Sequence, residues 1–160
     1  MDINRVHLEL RKATASFPKL PVGSGIGRAL TRLLLPLLLP RAKAPAGVSI
    51  TWQEAPSGQK LRVYKPGGSN QKAALLYIHG GGMMIGAAKM DDVLLAGLAA
   101  DLGILVVSPE YRLAPENPYP SAIDDCNEAW HWMLNNAANL EIDTKRIAIG
   151  GESAGGGLAA

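Results

Sequence analysis

Hydrophobic residues change their spacing along the chain, and each change predicts a different kind of element. Residues 1–45 have a helical pattern, with Asp2 at a capping position. Glycines at 23, 25 and 27 interrupt it, and because they follow no strand we interpret them as a flexible linker and not a phosphate loop. Strict alternation at residues 48–53 and 61–64 predicts two half-exposed strands joined by a turn.

Beyond residue 72 the apolar runs become short and continuous, at 73–78, 104–107 and 147–149. Such runs are typical of strands buried on both faces, which belong to parallel sheets. Two helical stripes lie between them, one made by Met90, Val93, Leu94, Gly97, Leu98 and Leu102, the other by Ala122, Ile123, Cys126, Ala129, Trp130, Met133 and Leu134. The predicted fold is therefore α/β: a hairpin, a βαβαβ unit with crossover helices on a mostly parallel sheet, and the start of a further helix.

Composition narrows the class of protein. The chain has 160 residues, 48% of them hydrophobic, with 16 basic and 14 acidic side chains. This is typical of one ordinary globular domain or part of one. A net charge of +2 without a basic tract gives no indication of a basic surface that would bind nucleic acid. A single cysteine, Cys126, and the absence of a recognisable export signal predict the cytoplasm.

The most apolar stretch is residues 33–39, where leucines are interrupted by Pro36 and bracketed by Arg32 and Arg41. It is too short to cross a bilayer, so no membrane span is predicted. One interpretation is a buried or lid-forming helix pair hinged at Pro36. The other is a surface that meets apolar substrates or a lipid interface.

The strongest chemical signal follows the third apolar run. Gly151, Ser153 and Gly155 form the pattern Gly-x-Ser-x-Gly between a predicted strand and a predicted helix. This is the context of a nucleophile elbow, where a tight turn strains the serine backbone and needs small neighbours because two chain segments almost touch. The pattern indicates that the Ser153 hydroxyl stands above the sheet as a nucleophile.

A second glycine pattern follows the first apolar run, where His79 precedes Gly80, Gly81 and Gly82. Consecutive glycines let the backbone approach a substrate and point N–H groups at it, as an oxyanion hole requires. Both patterns sit at carboxyl ends of predicted parallel strands, the edge where α/β sheets bind ligands. The sequence has no metal-ligand spacing and no dinucleotide fingerprint, so neither metal nor cofactor is predicted.

With these patterns the chain resembles the hormone-sensitive-lipase-like branch of the α/β-hydrolase superfamily, the bacterial family IV esterases, from about residue 48 onwards. Glu152 stands where this family more often has aspartate. The resemblance rests on Tyr-Ile-His-Gly-Gly-Gly at 77–82, Pro-Glu-Tyr-Arg-Leu-Ala-Pro-Glu at 109–116, Pro-Tyr-Pro at 118–120 followed by Asp124 and Asp125, and Gly-Glu-Ser-Ala-Gly at 151–155.

The resemblance implies a carboxylesterase-type serine hydrolase that acts on small-molecule esters of short to medium acyl chains. Residues 1–45 would be a helical lid, and residues 46–160 the N-terminal part of the catalytic domain. The implied roles are nucleophile for Ser153, oxyanion-hole N–H donors for Gly81, Gly82 and Ala154, and loop-shaping residues for His79 and Gly80.

The other two members of the catalytic triad cannot be carried over, because in this family the acid and the histidine follow the serine along the chain. His7 lies on the accessory helix, His79 in the glycine loop and His131 on the polar face of a crossover helix, so none is expected to act as the base. Without a base the hydroxyl is a poor nucleophile. We therefore expect this chain to be the N-terminal half of an esterase, inactive alone.

Two alternatives stay open. A non-catalytic protein could bind a small molecule in the same pocket, as the plant gibberellin receptors of this superfamily do. A C-terminal complementing segment, or a second copy, could also dock on the open sheet edge at residues 147–149.

Three further features have structural interpretations. We expect Cys126 to pack in the core. Tyr111, Arg112 and Glu116 are expected to brace the loop after their strand through a hydrogen-bonded ion pair. Asp143 is expected in a turn before the elbow strand, since a triad acid would follow Ser153.

Overall fold

The structure, a computed structural model, describes residues 2–16, 20–38, 44–68 and 71–160. Within these ranges five strands form one sheet: β1 (Val48–Glu54), β2 (Lys60–Pro66), β3 (Ala74–Ile78), β4 (Leu105–Pro109) and β5 (Ile147–Gly151). The α-helices are α1 (Leu8–Ser16), α2 (Gly25–Leu38), α3 (Asp92–Leu102), α4 (Ser121–Asn135), α5 (Ala137–Leu140) and α6 (Ala154–Ala159). Short 3-10 turns cover Ile3–Arg5, Ala88–Asp91 and Thr144–Arg146.

The strand order is β1-β2-β4-β3-β5, which confirms the hairpin followed by a βαβαβ unit. β2 pairs with β1 and β4 antiparallel, whereas β3 pairs with β4 and β5 parallel. In the β3–β5 register Leu76 lies opposite Ile149 and Ile78 opposite Gly151. The carboxyl ends of these two strands therefore meet at the same edge of the sheet.

The core lies on both faces of the sheet because successive strand residues point to opposite sides. On one face Leu76 and Val107 pack in a cluster with Met133 of α4. On the other, Val106 packs with Leu95 of α3. All five side chains are almost fully buried, and each such burial stabilises the fold by about 1.5–3 kcal/mol.

The sequence predicted the buried stripe of α4 correctly and that of α3 wrongly. In α4 the residues Ala122, Cys126, Ala129 and Met133 are buried, as expected. In α3 the buried residues are Leu95, Ala96 and Ala99, whereas Val93, Leu94 and Leu102 of the predicted stripe are exposed. Because α3 is apolar on most sides, periodicity did not identify its packed face; the small side chains of Ala96 and Ala99 let it lie close to the sheet.

The apolar run at 147–149 is typical of a strand buried on both faces, but β5 is exposed at the edge of the sheet, in agreement with the open edge expected there. Within the described residues β5 has a single neighbour, β3, and Ile149 is 44% exposed. β3 and β4 lie inside the sheet, and their side chains alternate between buried and half-buried or are buried throughout. The edge position accounts for the difference.

The glycines at 25 and 27 lie in the first turn of α2 and not in a flexible linker. Ser24 Oγ accepts a hydrogen bond from the Gly27 N–H at 3.0 Å, so a serine caps the helix. A Cβ at Gly27 would lie 2.0 Å from the carbonyl oxygen of Pro21, so this glycine permits a close contact with the preceding segment. Asp2 Oδ1 accepts from the Asn4 N–H at 2.9 Å, as its predicted capping role requires.

The leucine-rich segment was expected to be a helix pair hinged at Pro36. Up to Leu38 it is instead part of one helix, because α2 continues through position 36. Leu39 and Arg41 lie outside the described residues. Leu33 and Leu37 are 64% and 71% exposed, which favours the interpretation of this stretch as an apolar surface. In the described part of the chain, each helix is too short or too polar to cross a membrane.

Candidate active site

Ser153 occupies a strained turn between β5 and α6. Its backbone has φ 51° and ψ −115°, a conformation that residues with a Cβ rarely adopt, and its side chain is exposed. A Cβ at Gly151 would lie 2.6 Å from the carbonyl oxygen of Ile78, and one at Gly155 would lie 2.0 Å from it. Glycine is required at both positions because β5 and α6 press against the end of β3.

The glycine loop that follows β3 lies against this turn. A Cβ at Gly80 would lie 3.6 Å from Cβ of Ser153 and 3.2 Å from the carbonyl oxygen of Glu152. Gly81 and Gly82 have φ of 115° and 64°, both in the region that favours glycine. The two patterns found in the sequence are thus brought together, as neighbouring parallel strands predict.

Three backbone N–H groups beside Ser153 have no partner among the residues that the structure describes. They belong to Gly81, Gly82 and Ala154, the positions predicted for the oxyanion hole. The Gly81 carbonyl, by contrast, accepts from the N–H groups of Met84 and Ile85 at 3.2 and 3.0 Å, which closes a turn. Unpaired donors in a fixed turn suit an oxygen on which negative charge develops.

His79 is buried beneath the loop with 1% of its surface exposed. Its Nδ1 is 2.8 Å from the carbonyl oxygen of Gly80, and its ring stacks on Tyr111 with centroids 4.1 Å apart. Burial lowers the pKa of His79 to about 4, so the ring is neutral at physiological pH. Gly86 leaves room for it, since a Cβ there would lie 2.7 Å from Nδ1.

Within the described ranges Ser153 Oγ has no hydrogen-bonding partner, whether a histidine or a carboxylate. His7 and His131 are both exposed, the first just before α1 and the second on α4. Asp143 lies in a turn, as predicted, and its Oδ1 accepts from the Lys145 N–H at 2.9 Å. The site as described holds a serine and N–H donors without a base.

The sequence analysis did not predict that the carboxylate of Asp91 interacts with that of Glu152, the residue before Ser153. Asp91, in the 3-10 turn before α3, is half-buried, and burial together with the charges of Glu152 and Asp92 raises its pKa to about 6. Burial, and after it the charges of Asp91 and Glu152, also raise the pKa of Tyr77. Asp91 and Glu152 are far apart in sequence, so no local signal links them.

Ion pairs brace the loop after β4, but Arg112 and Glu116 of this loop each pair with a residue outside it. Arg112 donates to both carboxylate oxygens of Asp125, with the shortest contact at 2.7 Å. Glu116 instead pairs with Arg32 of α2 at 2.9 Å. Tyr111 O–H donates to the His79 carbonyl at 3.0 Å. Cys126 is buried as expected, and burial raises the pKa of its thiol to about 12.

The role of Arg32 was also missed in the sequence, where this residue was noted only as a boundary of the leucine run. Its Nε donates to the Met84 carbonyl at 2.8 Å and one Nη to the Ala114 carbonyl at 2.6 Å. The other Nη holds Glu116. A single side chain of α2 therefore contacts both the glycine loop and the loop after β4.

Comparisons with known proteins agree with this geometry. A family model described as the alpha/beta hydrolase fold matches residues 75–160, which is just over half of the chain. An ethyl acetate hydrolase of Pseudomonas putida is 43% identical over 102 residues, 62% of this chain and 32% of that protein. Hormone-sensitive lipase of Bos taurus is 33% identical over 135 residues, 84% of this chain and 18% of the lipase.

Among solved structures, a bacterial heroin esterase is similar with a TM-score of 0.85 at 36% identity. The match covers 99% of this chain and 52% of the esterase. The chain thus spans about half the length of this solved relative and about a third or less of the two curated ones. Family model, relatives and fold agree: the chain belongs to the α/β-hydrolase family, in its hormone-sensitive-lipase-like branch of esterases.

Proposed function

We propose that the protein hydrolyses carboxylic esters through an acyl-enzyme on Ser153. The observation that carries this proposal is the position of an exposed, strained Ser153 beside the unpaired N–H groups of Gly81, Gly82 and Ala154. Esterases among the relatives, one of them named for ethyl acetate, support an ester of short to medium acyl chain as the substrate.

In this mechanism Ser153 Oγ attacks the acyl carbon and loses its proton to a base. The carbonyl oxygen becomes an oxyanion, which the three N–H groups stabilise, and the alcohol leaves with a proton as the tetrahedral intermediate collapses. Water then attacks the acyl-enzyme in the same way and releases the acid. His79 keeps a structural role in this scheme, since it is buried, neutral and bound to Gly80.

We assign residues 1–45 to a lid over the acyl-binding side and residues 46–160 to the catalytic domain. The contacts of Arg32 with Met84 and Ala114 support this assignment, because they attach α2 beside the glycine loop. The exposed side chains of Leu33 and Leu37 supply an apolar surface on that helix. The cytoplasm stays the predicted compartment.

The base and the triad acid are proposed to lie outside the 160 residues, so this chain alone should be inactive. The open edge of β5, with Ile149 half-exposed, is the surface to which a complementing segment would add a strand. A second copy could cover the same edge.

No base lies beside Ser153 among the residues that the structure describes, and this also favours a second candidate, a protein that binds small molecules without turnover. The two functions differ in the reactivity of the serine. A binding protein needs the pocket and the N–H donors but no activated hydroxyl.

A fluorophosphonate probe distinguishes them, because it reacts only with an activated serine and releases fluoride as it forms the Oγ–phosphorus bond. We expect the longest protein expressed from the native gene to be labelled, and the Ser153→Ala variant to be unlabelled. Ser49→Ala removes another exposed serine and should label like the wild type. The 160-residue chain alone should not react.

Absence of labelling in a full-length protein that carries a histidine downstream would contradict the esterase proposal. If such a protein also bound a small carboxylic acid by calorimetry, the binding function would replace it. Labelling that persists in Ser153→Ala would place the nucleophile elsewhere.

A further inference from the structure

Arg32 is the residue through which the N-terminal segment contacts the glycine loop. It lies on α2, and its side chain is 25% exposed. Its three hydrogen bonds to described residues all reach positions more than fifty later in the chain: the carbonyls of Met84 and Ala114 and the carboxylate of Glu116. A planar guanidinium suits such a set, because its donors point in fixed, divergent directions.

The Met84 carbonyl belongs to the turn that shapes the loop. The Met84 N–H donates to the Gly81 carbonyl at 3.2 Å, so a group that fixes Met84 also fixes the peptide that follows Gly81. The loop needs such support: Gly81, Gly82 and Met83 have consecutive positive φ values of 115°, 64° and 58°. For Met83 this conformation is uncommon and persists only where the surroundings hold it.

The second loop is fixed by the same side chain. The Ala114 N–H donates to the Met83 carbonyl at 2.8 Å, and Arg32 binds the Ala114 carbonyl. Arg32, Met83, Met84 and Ala114 therefore form a closed set of hydrogen bonds at the back of the glycine loop. The Gly81 and Gly82 N–H groups lie on the same turn, with no partner among the described residues.

We propose that Arg32 is a positioning residue that holds the Gly81 and Gly82 N–H groups where the oxyanion forms. This inference rests on the proposed esterase function and goes beyond it, because it gives one side chain of α2, that of Arg32, a part in positioning the catalytic groups. A displaced donor weakens the stabilisation of the transition state more than that of the substrate, since only the former carries a full negative charge on oxygen.

The test compares Arg32→Ala and Arg32→Lys with Arg28→Ala in the full-length protein. Arg28 lies one turn earlier on α2, and in the described structure it hydrogen-bonds only to the Val22 carbonyl of its own segment. Removal of a whole oxyanion donor costs about 10²–10³ in kcat, so a misplaced pair should cost about 10–100-fold. We expect this loss in kcat with KM within about twofold for Arg32→Ala, little rescue by lysine, and near wild-type values for Arg28→Ala.

A pair of inhibitors separates positioning from general damage to the fold. Ser153 Oγ adds to the carbonyl carbon of a trifluoromethyl ketone, its proton passes to the base, and the carbonyl oxygen becomes an oxyanion in the hole. The matching methyl ketone stays a ground-state ligand. Arg32→Ala should weaken binding of the trifluoromethyl ketone by the same factor by which it lowers kcat/KM. Binding of the methyl ketone should stay within about twofold of the wild type. The Arg32→Lys variant gives the same comparison if the alanine variant does not fold.

Equal weakening of both ketones, or an Arg32 variant as active as Arg28→Ala, would overturn the inference while leaving the esterase proposal intact. A wild-type protein that neither hydrolyses esters nor binds the trifluoromethyl ketone would overturn the esterase proposal and, with it, the catalytic role of Arg32. Amide exchange reports the bracing directly: the Met84 amide should exchange faster in Arg32→Ala than in Arg28→Ala, and equal rates would count against the inference.

Discussion

The strain at Ser153 predicts that glycine stabilises this position more than alanine does. At φ 51° and ψ −115° a residue with a Cβ costs about 1–3 kcal/mol, and glycine costs almost nothing. The exposed side chain makes no hydrogen bond to a described residue, so truncation to alanine removes little else. A comparison of Ser153→Gly with Ser153→Ala therefore isolates the backbone strain.

The expected difference is a balance of two terms. Relief of strain favours the glycine variant, whereas the greater freedom of glycine in the unfolded chain costs it about 0.5–1 kcal/mol. The balance is about 1 kcal/mol in favour of Ser153→Gly. For a chain of this size that corresponds to about 2–4 °C in Tm.

Urea unfolding followed by tryptophan fluorescence measures the difference. Ala154→Gly is the matched control, because the next residue begins α6 and glycine there should destabilise the protein by about 0.5–1 kcal/mol. The two glycine substitutions should thus shift the unfolding midpoint in opposite directions. A Ser153→Gly protein no more stable than Ser153→Ala would refute the claim of a strained elbow.

Three other predictions follow from contacts and charges. Gly155→Ala should destabilise the protein by about 1–3 kcal/mol, since the added Cβ would overlap the Ile78 carbonyl. Its control, Gly157→Ala, places a Cβ in open space and should be neutral or stabilising. Thermal unfolding measures both, and similar Tm shifts for the two variants would contradict the prediction. The raised pKa of Asp91, about 6, means that the folded state binds its proton more tightly than the unfolded chain does. The free energy of unfolding should therefore fall as pH rises from about 4 to about 6. Urea titrations across this pH range should show that Asp91→Asn removes the contribution of Asp91 to this fall. The lowered pKa of His79, about 4, means that the unfolded chain binds its proton more tightly than the folded state does, so stability is lost as pH falls from about 6.5 to about 4. Nitrogen NMR at pH ~5.5 should find a neutral ring. A charged ring would show that burial does not control the pKa of His79.

Local patterns predicted the elements well where one periodicity dominated. Alternation marked β1 and β2, continuous apolar runs marked β3 and β4, and small residues around Ser153 marked the elbow. These signals are local, because the backbone conformation of a strand or of a tight turn restricts the residues within it.

Prediction failed where the outcome depended on neighbours distant in sequence. The face on which α3 packs and the start of α2 at Gly25 were both predicted wrongly. The helix α3 is apolar on several sides, so its orientation follows from the shape of the sheet beneath it. The Gly25 and Gly27 turn became helical because Ser24 caps it and Pro21 packs against it.

The class of fold, the order of its elements and the two glycine patterns that flank the candidate site were all predictable from the amino-acid sequence. Which charged groups meet depends instead on how the elements pack together. Arg112 binds Asp125, Glu116 binds Arg32, and the charge of Glu152 raises the pKa of Asp91. The reason is physical: strand and turn preferences act between near neighbours in the chain, whereas an ion pair or a pKa depends on distances that exist only after the elements have packed.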